Sequence, residues 1–153
     1  MAQRVGPAEW DRIIGAHFEQ ARRALDRHRG AEIRTTGDGM LATFDGAARA
    51  ARAAADIHAA AAGLGIRVRA GIHTGEVDPL PGNIRGLAVH IAARIAATAA
   101  PGETLVSATT REVIAAEDLE FEARGDHELK GVEGARALFA VRVRDAQPAF
   151  GEP

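Results

Sequence analysis

An α/β sandwich, with helices outside a mostly antiparallel sheet, is the fold class that this chain predicts. Three patterns carry that expectation. Trp10, Ile14, Phe18, Ala21 and Leu25 recur at helical spacing. Two runs suited to strands, 31–35 and 40–44, flank Gly37-Asp38-Gly39. Ile66, Val68, Ala70 and Ile72 then alternate with Arg67, Arg69 and Gly71. The 153 residues are one domain's worth, and no repeat or low-complexity linker divides them. The expected organisation is a single domain over 1–153, with its core over 8–145 and a frayed tail over 146–153.

Pro7 suits a first helical position, and the apolar stripe that follows predicts an amphipathic helix ending by Gly30. Arg22, Arg23, Arg27 and Arg29 crowd its C-terminal end, where positive charge suits the helix dipole and a solvated face explains them. The strand pair around Gly-Asp-Gly reads as a β-hairpin with Asp38 at its tip. Its glycines permit positive φ and close approach to a bound group. Asp45 is expected to cap a second helix over 46–62, nearly all Ala on its inner side and stopped by Gly63 and Gly65. The alternation over 66–72 predicts a strand with one buried face, and 75–86, rich in Gly and Pro, reads as loop. A third helix over 87–99 ends at Pro101-Gly102. Residues 104–106 read as a strand, Ser107 as the cap of a fourth helix to 116, and 119–123 and 137–143 as closing strands.

Acidic and basic residues nearly cancel, 21 against 19, so bulk charge points to no nucleic-acid or membrane-surface partner. No signal peptide and no apolar run long enough to cross a bilayer is present in the sequence. The lack of cysteine excludes disulfides and thiolate metal sites and fits a cytoplasmic location. Aromatics are few and Ala abundant, so the core should rely on close helix–sheet approach. Every basic residue is Arg except Lys130. A compact ammonium on a flexible stem differs in kind from a planar fork, which singles Lys130 out for a point-charge task.

Four segments occur in a telling order: Arg-Thr-Thr-Gly-Asp-Gly-Met-Leu-Ala-Thr-Phe (34–44), Arg-Ala-Gly-Ile-His-Thr-Gly-Glu-Val (69–77), Gly-Leu-Ala-Val-His-Ile-Ala-Ala-Arg (86–94) and His-Glu-Leu-Lys-Gly-Val (127–132). Together they resemble the class III adenylate/guanylate cyclase catalytic domains, over about residues 10–143. The resemblance implies a ferredoxin-like palm-type core and a head-to-tail dimer, or pairing with a second cyclase domain, with active sites at the interface. It implies intramolecular phosphoryl transfer. The ribose 3′-oxygen of ATP or GTP attacks the α-phosphorus, pyrophosphate leaves, and Mg²⁺ or Mn²⁺ is held between two Asp side chains.

By motif match, Asp38 is the second of those metal-binding Asp residues, on a turn where Gly37 lets the backbone approach substrate. Arg94 matches the Arg that steadies the transition state. It lies four residues after His90 and so on the same helix face. His90 stands where many members carry Asn to position the ribose, and a His can donate or accept there. Lys130 matches the Lys that meets the β- and γ-phosphates. Base selection departs from the adenine-specific pattern, in which a Lys and an Asp stand at the positions of Arg34 and Asn83. An amide can read either purine, and Arg85 holds a place often given to an aromatic residue. ATP is favoured over GTP only as the commoner case.

The family supplies its first metal Asp from a strand before the first helix, in a Phe-x-Asp-Ile-x-Gly-like segment. Here the helix begins almost at once, residues 1–6 contain no acid, and Asp11 falls within the helix. The first strand is therefore expected to be missing from these residues, and the chain alone to be inactive or very weakly active. Two readings follow. One is a cyclase catalytic domain whose reading frame continues upstream of Met1. The other is a degenerate cyclase-like module kept for dimerisation or nucleotide sensing. A diguanylate-cyclase reading is disfavoured because the hairpin lacks a Gly-Gly-(Asp/Glu)-Glu-Phe signature.

Overall fold

The structure, a computed structural model, describes residues 6–37, 39–75, 78–80 and 83–144, with backbone alone at 36, 78–80 and 83–85. Pro7 opens α1 (Pro7–Arg27), whose inward stripe is Ala21, Ala24, Leu25 and the buried His17. Trp10, Ile14 and Phe18 are half-buried. Arg22 near its end donates from Nε and Nη2 to both carboxylate oxygens of Glu32, at 2.7 and 3.1 Å. That pair ties α1 to the strand that follows and holds the Glu32 carboxyl below its ordinary range.

The expected hairpin is β1 (Ala31–Thr36) paired antiparallel with β2 (Gly39–Thr43), with a bulge between Glu32 and Arg34. Thr36 pairs with Gly39, so the register leaves two residues for the turn. The first, Gly37, has φ 54°, the left-handed geometry that primed hairpin turns demand. Asp38 lies outside the described residues.

Helix α2 (Ala47–Gly63) turns five Ala residues inward: 50, 51, 53, 54 and 61. Its cap is not the expected one. Gly46 holds the N-cap position without a side-chain bond, and Asp45 accepts from Arg49 Nη1 at 2.7 Å instead. An Arg one turn into the helix competes for that carboxylate with the backbone amides. The alternating run forms only a short strand, β3 (Ala70–Ile72). The expected loop over 75–86 contains a small hairpin of β4 (Asp78–Leu80) and β5 (Asn83–Arg85), a correction to its reading as loop throughout. Strands of three residues are too short for alternation to register in a sequence.

Helix α3 (Leu87–Thr98) and β6 (Thr104–Ser107) follow as expected, whereas α4 (Ala108–Val113) stops three residues short of the expected 116. Ser107 caps α4 by accepting from the Thr110 amide. The last two strands are longer than their apolar cores: β7 (Leu119–Glu128) and β8 (Ala135–Val143). Residues 146–153, expected as a tail, lie outside the described residues. The main sheet has the order β3-β6-β8-β7, with β3 parallel to β6 and the other two pairings antiparallel. Hairpin β1–β2 is a separate two-stranded sheet, so among the described residues β3 has a ladder partner on one side only. The mixed α+β architecture is the one the sequence predicts, with the hairpin as a sheet of its own.

Helix α3 seals one part of the core through Ile91, Ile95 and Ala99 against Leu105, Leu129, Leu138 and Ala140. A Cβ at Gly71 would lie 2.3 Å from the Ala96 nitrogen and 2.7 Å from the Ala92 carbonyl oxygen. Helix backbone thus rests on strand backbone, as the Ala-rich composition anticipates. Gly71→Ala has only backbone to push against and should lower unfolding free energy by about 1–3 kcal/mol. Chemical denaturation measures it, and an unchanged midpoint would mean that α3 stands farther from the sheet than described.

His58 on α2 is half-buried, with Nε2 2.7 Å from Thr104 Oγ1 and a buried Nδ1 that has no partner. Burial lowers its proton affinity, because a second proton would leave a desolvated charge and an unanswered donor. In the unfolded chain the imidazole titrates near its ordinary value, about 6.5. The folded state therefore gains stability above that pH and loses it as pH falls through the lower folded value. Thermal midpoints should decline from about pH 8 to about pH 5, and His58→Gln, which keeps a donor for Thr104 but does not titrate, should flatten the decline. A profile identical to the parent's would assign the decline to other groups.

Candidate functional site

The loop between β7 and β8 starts with a tight turn. Val132 N–H donates to the Leu129 carbonyl at 2.9 Å, Gly131 has φ 78°, and Lys130 is not among the positive-φ residues. Those facts define a type II turn with Lys130 and Gly131 at its centre. Leu129 is buried in the α3 core and Val132 packs against it, so both ends of the turn are anchored and Lys130 between them is exposed. His90, in the first turns of α3, places Nε2 2.9 Å from the Lys130 carbonyl oxygen. A carbonyl can only accept, so Nε2 carries the proton. A Cβ at Gly131 would come within 2.8 Å of that same nitrogen.

Arg94 lies one helical turn beyond His90, half-buried, with its carbonyl accepting from Thr98 Oγ1. Among the described residues its guanidinium has no carboxylate partner. The structure thus brings His90 to Lys130 and sets Arg94 on the same helix. Arg34 sits exposed on β1, in register with Leu41, and Gly37 follows at the turn of that hairpin. Asn83 is in β5, in register with Leu80, and β5 touches β1, so the strands bearing Arg34 and Asn83 are neighbours. The side chains of Asn83 and Arg85 lie outside the description, as does Asp38.

A polar network beneath these elements has no counterpart in the expectations. His73 Nδ1 lies 2.7 Å from Ser107 Oγ, which lies 3.0 Å from Thr110 Oγ1, and Thr74 Oγ1 is also 3.0 Å from Thr110 Oγ1. Thr110 and Ser107 are buried. The network joins the ends of β3 and β6 to the cap of α4, where the chain leaves the sheet toward β4, β5 and α3. Burial, helped by the Arg136 charge, lowers the His73 proton affinity and favours a neutral ring. Its two halves, His73-Thr74 and Ser107–Thr110, lie more than thirty residues apart, so spacing carries no signal for their meeting.

The donor set does not make a metal site by itself. Among the described residues no group of three or more His, Asp or Glu side chains converges. Asp38, the carboxylate that the family likeness assigns to Mg²⁺ or Mn²⁺, lies outside them.

The adenylate and guanylate cyclase catalytic domain family matches residues 1–142, and the chain belongs to that family. An uncharacterized protein of Mycobacterium tuberculosis is 30% identical over an alignment of 152 residues, and the match covers 95% of this chain and 40% of that protein. The chain thus spans well under half the length of that curated relative. Among solved structures, an adenylate/guanylate cyclase/hydrolase from Silicibacter pomeroyi shares 30% identity with a TM-score of 0.73, covering 82% of this chain and 77% of its own. The catalytic core of a rhodopsin-guanylyl cyclase with converted specificity, solved in complex with ATPαS, superposes with a TM-score of 0.80 at 23% identity. The match covers 93% of this chain and 87% of that one, and at that identity it shows the fold alone. Among the described residues no helix is long and apolar enough to cross a membrane.

Proposed function

We propose that residues 1–153 are a nucleotide cyclase domain that binds a nucleoside triphosphate, ATP in preference to GTP, through Lys130 and Arg94. The family reaction forms a bond from the ribose 3′-oxygen to the α-phosphorus and breaks the bond to pyrophosphate, giving a 3′,5′-cyclic nucleotide. The observation that carries the reading is the lone Lys of the chain, exposed on a turn fastened to the helix that bears Arg94. An ammonium there suits the β- and γ-phosphates, and a guanidinium suits charge developing at the α-phosphate. Arg34, Asn83 and Gly37 are assigned to substrate on the hairpin side, with Asp38 as metal ligand to Mg²⁺ or Mn²⁺. The family's head-to-tail dimer would bring Asp38 of one chain opposite Arg94 and Arg34 of another.

These residues supply one of the two expected metal carboxylates, so turnover by residues 1–153 alone is weak or absent. The second reading, a non-catalytic dimerising or nucleotide-sensing module, rests on that same count. Assay of ATP and GTP conversion in Mn²⁺ separates the two. Turnover that appears when a strand bearing an Asp is joined before α1 supports the catalytic reading. Silence after that addition supports the other.

Binding is tested apart from turnover. Lys130→Ala should weaken affinity for a fluorescent ATP analogue by about ten- to a hundred-fold, the worth of a charged hydrogen bond to phosphate. Lys130→Arg should restore it only partly, and Asp38→Ala should matter less. Parent-like binding by Lys130→Ala would make it an ordinary surface residue. Sedimentation should show a dimer at micromolar concentration. A monomer throughout would remove the shared site.

A further inference from the structure

We propose that His90 is a positioning residue for Lys130: it holds the 129–132 turn in its type II form and does not itself meet the nucleotide. The proposal rests on the reading of Lys130 as a phosphate contact, and it changes the role expected for His90.

Turns of types I and II share the bond from the fourth amide to the first carbonyl and differ by a flip of the central peptide. Here that peptide joins Lys130 to Gly131. Glycine at the third position permits the type II geometry without compelling it, since glycine takes either sign of φ with similar ease. The ends do not decide the matter either. Leu129 in the core and Val132 against it fix where the turn starts and stops, and both forms keep the Val132 to Leu129 bond. What distinguishes the forms is the direction of the Lys130 carbonyl, and that carbonyl meets His90 Nε2 at 2.9 Å. Flipping the peptide would turn the carbonyl away and leave the imidazole donor facing an amide donor. A side chain at 131 would strike the same nitrogen, so glycine there leaves the ring its place against the turn.

The ring's donor is thereby committed to the backbone of the turn and is not offered to a ribose. A Lys side chain loses much rotamer freedom when it binds, and a backbone already fixed at its root reduces the ordering that binding must supply. His90 would act through Lys130, and Arg94 on the same helix would keep its separation from the ammonium because one ring joins the two elements.

The test uses the full chain and a fluorescent ATP analogue. His90→Phe keeps a ring and removes the donor. His90→Gln carries an amide nitrogen that can reach the same carbonyl. His90→Phe should weaken binding by about five- to ten-fold, the worth of an ordinary hydrogen bond, and His90→Gln should recover most of it. The double variant His90→Phe/Lys130→Ala should bind no worse than Lys130→Ala, because both changes remove the same contact. Additive losses, or parent-like binding by His90→Phe, would overturn the proposal, the first by giving His90 its own contact with ligand. A readout independent of nucleotide is the backbone chemical shifts of Lys130 and Gly131 in the ligand-free protein, which a flip of the peptide between them moves while the Val132 to Leu129 bond survives. The shifts should move in His90→Phe and return toward the parent values in His90→Gln. If the parent binds no triphosphate, the functional reading fails while these shifts still decide whether His90 holds the turn. Unchanged shifts in His90→Phe would refute it.

Discussion

At Gly71 the backbone of β3 meets the backbone of α3, with no room for even a methyl group between them. The rest of the arrangement depends on that approach. Because Ala92 and Ala96 face the strand, α3 lies low on the sheet, and Ile91 and Ile95 reach Leu105 and Leu138 beneath it. Leu129 joins the same cluster, which draws the start of the β7–β8 loop up to the helix. Only then can a side chain as short as His90 touch the Lys130 carbonyl. A bulkier residue at 71 would lift the helix and open that contact without altering any candidate site residue.

Ion pairs and hydroxyls make a second set of ties, mostly between elements distant in the chain. Arg52 meets both oxygens of Asp118 at 2.8 Å and joins α2 to the approach of β7. Arg124 bonds Glu103 at 2.9 Å across the edge of the sheet. These pairs are partly exposed, so they orient elements more than they stabilise them. The Ser107–Thr110–Thr74–His73 chain differs, since Ser107 and Thr110 are buried and their hydroxyls find partners within it.

Helical spacing made α1 legible to within three residues, the Pro101-Gly102 stop bounded α3, and Ser107 announced the cap of α4 by residue type alone. The hairpin was readable from its glycines, down to the positive φ at Gly37. Asp45 misled because a carboxylate before a helix has two suitors, the amides and an Arg one turn on, and sequence does not rank them. The short strands β4 and β5 were hidden by Gly and Pro, whose turn signals outweigh three residues of extended chain. Among candidate site residues, Lys130 stood out through composition, whereas Arg94 was named by motif match and its helical offset only put it on the face of His90. The bond from His90 to a backbone carbonyl forty positions away was out of reach, since main-chain acceptors look alike in every sequence. Arg34 and Asn83 could be named by motif, but their neighbourhood follows from contact between β1 and β5, which no local pattern encodes.

The last strand of the described chain, β8, lies inside the main sheet, between β6 and β7. During synthesis, β7 and β6 would each emerge before the partner they share. The pairing of β3 with β6 is parallel and would by then have one flank bare. A ribosome-bound chain would therefore carry open strand edges until residues 135–143 clear the exit tunnel, and the sheet would close in one late event. A stop codon shortly before β8 would leave β7 without a partner and β6 with β3 alone.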